Sequence, residues 1–111
     1  MTSFDNRENA FENKFAHDAD LQFKIIARRN KLLGLWAAEK MGLTDEEAKA
    51  YATAVIQADF EEAGDEDVVR KLIGDLTSAG IETDDAQIRA AMDAQMVEAR
   101  RQFIEIGRAH V

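Results

Sequence analysis

Apolar positions recur at spacings of three and four over three stretches of the chain. Asp45 to Ala63 carries Ala48, Tyr51, Ala52, Val55, Ile56 and Phe60 on one side. Glu66 to Ser78 carries Val68, Val69, Leu72, Ile73 and Leu76, and Asp84 to Ile106 carries Ile88, Ala91, Met92, Gln95, Met96, Ala99, Phe103 and Ile106. That is the 3.6-residue period of amphipathic helices. An earlier helix is predicted from Asp18 or Asp20 to Met41. Its apolar residues Leu21, Phe23, Ile25, Ile26, Leu32, Leu33, Leu35 and Trp36 cover more than one face, so it should be the most buried of the four. Gly34 and Gly74 fall inside predicted helices, where glycine costs up to about 1 kcal/mol unless it permits a close approach.

Glycine followed by a capping residue marks each boundary: Gly42 before Thr44, Gly64 before Asp65, Gly80 before Thr83. Thr44 and Glu47 have capping-box spacing. Acidic residues at 65–67 and 84–85 place carboxylates at helix starts, where the helix dipole favours them. Loops of two to four residues favour antiparallel neighbours. The expected fold is all-α: a small antiparallel four-helix bundle over residues 18–111, with a flexible or frayed N-terminal arm at 1–17.

The arm reads differently from the rest. Phe4, Phe11 and Phe15 fall within about a 40° arc of a helix, and the residues between them are mostly polar, with three asparagines that weaken helix formation. Such a narrow stripe buries little area alone. It suits a segment that becomes helical against a groove. The other reading is a first helix that starts earlier and packs its phenylalanines on the bundle.

Composition narrows the chemistry. The 111 residues contain no cysteine, which excludes disulfides, thiolate catalysis and Cys-ligated zinc. The absence of proline agrees with helices throughout. Fourteen basic and 22 acidic residues give a net charge of −8. That field repels nucleic acid, and no apolar run suits membrane insertion or a signal peptide, so the expected compartment is cytoplasmic. The two histidines, His17 and His110, lie near the ends, and no phosphate loop or nucleophile–base pattern appears. Neither catalysis nor a cofactor is expected, and the carboxylates at 59–67 do not follow the EF-hand template.

Charge is segregated along the chain. Lys24, Arg28, Arg29 and Lys31 form a basic block, whereas 45–67 holds nine acids and only Lys49. Two readings stand for the block: pairing with the acidic helices, or attraction of the phosphates of ATP or ADP. From the residues alone, the chain is a helical binding or regulatory protein, with a nucleotide-responsive module or an adaptor as the alternative.

The run Ala10-Phe11-Glu12-Asn13-Lys14-Phe15-Ala16-His17-Asp18, continuing through Ala27-Arg28-Arg29-Asn30-Lys31-Leu32-Leu33-Gly34-Leu35-Trp36-Ala37-Ala38-Glu39-Lys40, resembles the zeta subunit of alphaproteobacterial F-type ATP synthases. The stretches 58–68 and Gln87-Ile88-Arg89 carry the same resemblance. That family was formerly a domain of unknown function. The resemblance implies a four-helix inhibitor of ATP hydrolysis, analogous to the mitochondrial ATPase inhibitor protein. It is peripheral to the inner membrane through the synthase. Its N-terminal arm is thought to enter an interface between alpha and beta subunits and approach the gamma shaft, blocking rotation. Carried onto this chain, the inhibitory element is about Thr2 to Asp18. Phe4, Phe11 and Phe15 are then the anchors, with Arg7 and Lys14 on one flank and Glu8 and Glu12 on the other.

Overall fold

A computed structural model describes the backbone of residues 2–61 and 64–109, and the side chains of 19–59 and 64–103. Four helices follow one another: α1 (Thr2–Lys40), α2 (Asp45–Glu61), α3 (Glu66–Ser78) and α4 (Asp85–Ala109). The bundle is all-α as the hydrophobic periodicity predicts.

Helix boundaries follow the capping chemistry. Gly42 and Gly80 carry φ of 72° and 81°, the left-handed region that glycine enters without a Cβ clash. The box at the start of α2 is formed: the Thr44 N–H donates to Glu47 Oε1 at 2.9 Å, and the Glu47 N–H donates to Thr44 Oγ1 at 3.3 Å. Asp84 caps α4 by accepting from the Gln87 N–H at 2.8 Å. At α3 the expected cap is not used. Asp65 occupies the N-cap position in helical geometry, without a side-chain capping bond. Its carboxylate is engaged elsewhere, as described below.

α1 begins at Thr2 rather than at Asp18 or Asp20. No break separates arm from bundle in the backbone. Thirty-nine residues make a helix about 58 Å long at 1.5 Å per residue, and the molecule measures 65 × 31 × 23 Å. Among the described side chains, the bundle covers α1 from Ile25 onward. Ala19 to Lys24 are all exposed, and Ile25 is the first buried residue of the described stretch. Leu21 and Phe23, which the apolar pattern places in the core, are 37 % and 53 % exposed. Phe23 nonetheless borders an open groove with Ile56 of α2 and Phe103 of α4.

The core comprises Leu33, Ala37, Val55, Val68, Val69, Leu72, Leu76, Ile88 and Met92, with Trp36, Tyr51 and Ile81 packed against it. Gly34 lies against Ala52, and Asn30 borders the same cavity as Ile56 and Asp59, so α2 runs antiparallel to α1. Trp36 borders the same cavity as Ala91 while Arg28 reaches Gln102, so α4 is antiparallel to α1 as well. α3 fills the remaining side. Tyr51 donates to Asp75 at 2.7 Å across α2 and α3, and Lys71 joins that carboxylate at 3.1 Å. Burial first, and then the bond to Asp75, pushes the Tyr51 hydroxyl well above the usual phenol range.

Gly34 explains itself. A Cβ built there would stand 2.6 Å from the Ala52 Cα, so only glycine lets α1 and α2 approach this closely. Gly74 does not share that role, because a Cβ there meets nothing within 4 Å. Gly34→Ala should therefore destabilise the fold by about 1–3 kcal/mol, whereas Gly74→Ala should stabilise it by about 0.5–1 kcal/mol. Urea unfolding of the two variants checks the opposite signs. A second expectation concerns pH. The Glu47 carboxylate is held below its ordinary value of 4.5 by the Thr44 backbone and side-chain bonds. A depressed folded pKa means the box stabilises α2 above the unfolded value and loses that effect as pH falls through the folded one. The Thr44 amide resonance should titrate with a midpoint below 4.5; a midpoint at or above it would show the box open in solution.

Candidate functional site

The basic block of α1 does not act as a unit. Arg28, Arg29 and Lys31 follow one another closely, but a helix turns about 100° per residue, and the packing separates them. Arg29 faces inward and is 3 % exposed. Its Nε and Nη2 donate to Asn30 Oδ1 at 3.2 and 2.9 Å, and Nη2 also donates to Asp65 Oδ1 at 2.8 Å. The pair spans α1 and the turn before α3, and it is what draws Asp65 away from capping. Of the two readings of the block, pairing with the acidic segment is therefore the one that applies to Arg29. Asn30, 1 % exposed, aligns the guanidinium, while its Nδ2 has no hydrogen-bond partner among the described residues.

Lys24, Arg28 and Lys31 share the other face. They line an open groove of about 250 Å³ with Phe23, Ala27, Ile56 and Phe103. Arg28 Nη1 donates to Gln102 Oε1 at 3.0 Å, and its guanidinium lies 5.8 Å from the Phe103 ring centre, a cation–π distance. Lys24 bridges Asp20 at 3.1 Å on an exposed helix face. Charge spacing in the sequence identified these cations. Phe103 was legible only as a core residue of α4, since nothing local shows that it meets Arg28.

A larger cavity of about 520 Å³ opens at the far end of the bundle. It lies between Trp36 and Lys40 of α1, the 81–83 turn, and Gln87, Ala90 and Ala91 of α4. The Lys40 ammonium stands 4.9 Å from the Trp36 ring centre. Trp36 is thus a core-flanking residue with one open side rather than a fully buried one. The sequence contains this pair at i and i+4, a spacing that brings side chains together on a helix.

Phe4, Arg7, Glu8, Phe11, Lys14 and Phe15 lie on the helical backbone of α1, and their side chains fall outside the described residues. By register, Phe4, Phe11 and Phe15 lie within about 40° of one line along that helix. His17 and His110 also fall outside the described side chains. Among the described residues no group of three His, Asp or Glu side chains is arranged to hold a metal ion. No described helix is long and apolar enough to cross a membrane.

Comparison with known proteins agrees with this architecture. The family described as ATPase inhibitor subunit zeta matches residues 1–102. The chain belongs to this family. Among solved structures, a solution NMR structure is 49 % identical, covers 77 % of this chain and 96 % of that chain, and superposes with a TM-score of 0.68. No curated protein matches significantly. The zeta family match takes in the leading part of α1, the basic block and most of α4, and ends one residue before Phe103 of the groove.

The buried pair supplies a test of the packing. Removing the Asp65 carboxylate leaves a nearly buried guanidinium with Asn30 alone. Asp65→Ala should cost about 1–2 kcal/mol of stability, toward the lower side for a charged hydrogen bond because Asp65 is half-exposed. Lys31→Ala, on the exposed face, should change stability by less than about 0.5 kcal/mol. Chemical denaturation of both variants distinguishes the inward cation from the outward one.

Proposed function

We propose that the chain inhibits ATP hydrolysis by the catalytic head of an F-type ATP synthase, with the leading part of α1 as the inhibitory element. The family supports the inhibitory role. The observation that carries the mechanism is the geometry of α1. Its backbone is helical from Thr2, and every described residue before Ile25 is exposed. About 35 Å of helix therefore precede Ile25, the first buried residue among the described side chains, at 1.5 Å per residue.

A rotary enzyme works by opening and closing the clefts between its alpha and beta subunits. A helix lodged in one of those clefts, close to the gamma subunit, holds it in one shape and stops rotation. In this reading Phe4, Phe11 and Phe15 fill apolar pockets, as central aromatic anchors do in protein interfaces. Arg7 and Lys14 on one flank and Glu8 and Glu12 on the other set register and orientation. Residues 1–17 act as the inhibitory unit and 18–111 as the body that holds it. The protein then resides at the membrane only through the synthase. It carries no catalytic group of its own in this scheme.

A preformed helix lowers the ordering cost of binding, because backbone freedom lost on association is already partly lost in the free chain. The three asparagines act in the opposite direction and weaken that helix when it is free.

The decisive measurement is ATP turnover by the detached head with the purified chain added. Deleting residues 1–17 should abolish inhibition while the helical content and cooperative melting of the remainder persist. Phe11→Ala and Phe15→Ala should each weaken inhibition by about 1–3 kcal/mol, the range of an interface anchor. A truncated chain that inhibits as well as the intact one would show that the leading helix is not the inhibitory element.

A further inference from the structure

The groove at the root of the leading helix is not used by that mechanism. We propose that it docks an acidic amphipathic helix on the surface of the ATPase head, beside the cleft that receives the leading helix. The proposal rests on the functional reading above and adds a second contact to it.

The chemistry of the groove selects such a partner. Its floor is apolar, formed by Ala27, Ile56 and Phe103, with the 53 %-exposed Phe23 at one side. Lys24, Arg28 and Lys31 stand along it at i, i+4 and i+7. In a chain of net charge −8 this is a local reversal of sign, complementary to carboxylates. Among the described residues, Asp20 pairs with Lys24, Asp59 lies on the adjoining cavity beside Phe23 and Ile56, and Glu98 accepts from the Gln102 side chain that Arg28 bonds. The Asp20–Lys24 bridge has both ends more than half exposed. Such pairs contribute little, so a partner carboxylate can replace Asp20. Arg28 is already oriented by Gln102 and the Phe103 ring, which lowers the cost of using it.

Spacing decides between a peptide and a nucleotide. Lys24 to Lys31 extends about 10 Å along α1 at 1.5 Å per residue. Carboxylates at i, i+4 and i+7 of a partner helix repeat at the same pitch, with an apolar stripe between them to cover Phe23 and Phe103. The phosphates of a nucleotide are clustered on neighbouring atoms and would engage one end of that row. Among the described residues, the groove has no glycine loop or helix start that would supply backbone N–H groups to phosphate.

The test uses the full-length chain and the detached head. Lys24 and Lys31 are exposed, so the double variant Lys24→Glu, Lys31→Glu should keep its fold, checked by circular dichroism. Its binding should weaken by about tenfold or more at low salt, mainly through slower association, and the difference should shrink at high salt. The corresponding double glutamine variant should fall between. At saturating concentration the variant should still inhibit, because its leading helix is intact. A benzophenone amino acid in place of Phe23 should cross-link to a head segment with carboxylates at helical spacing. Unchanged binding of the reversed variant, or a cross-link only to a segment without carboxylates, overturns the proposal. So does an ATP titration that shifts the amides of residues 24–31 while head binding ignores the charge reversal; that result would assign the groove to nucleotide. Binding reads the groove and turnover after deletion of 1–17 reads the leading helix, so either can fail alone.

Discussion

Burial of one face of α1 between Ile25 and Ala38 is the constraint on which the other helices depend. Ile25, Arg29, Asn30, Leu33, Ala37 and Ala38 are all less than one-tenth exposed, and α2, α3 and α4 each pack against this helix. The approach is tight at Gly34, where the α2 backbone at Ala52 occupies the space of a side chain. Interiors pack at the density of organic crystals, so a spacing set at one such point propagates along both helices. Leu33 and Val55 then meet in the same core as Leu72, Leu76 and Ile88.

The same face sets the distribution of charge. A guanidinium taken out of water needs partners. Arg29 finds them in Asn30 and Asp65, which ties the turn before α3 to the middle of α1. The remaining cations of the block face outward, where they remain available to a partner. One stretch of sequence thus supplies both a structural ion pair and a cationic groove, divided by the helical turn of 100° per residue.

Length is the other consequence of α1. Its buried face, among the described side chains, begins at Ile25, and the helical backbone continues to Thr2. A zeta-family inhibitor built this way presents a narrow leading element and a broad body more than 20 Å across. It also brings the groove of Phe23, Arg28 and Phe103 to the place where the two parts meet.

The helices themselves were legible in sequence because their signals are local. The spacing of Val68, Leu72 and Leu76, the Thr44–Glu47 box and the glycines at 42 and 80 each act within one or two turns. The start of α1 was not legible, since the polar residues and asparagines before position 18 weaken helix propensity without forbidding a helix. Nor was the exposure of Leu21 and Phe23, because hydrophobicity says that a residue favours burial and not how far its neighbours cover it. Of the candidate sites, the phenylalanine stripe and the cations were visible as residue types at helical spacing. Tertiary packing alone decided that Arg29 turns inward to Asp65 while Arg28 meets Phe103, 75 positions along the chain. Those contacts depend on where distant helices come to rest, and no local rule of spacing encodes that.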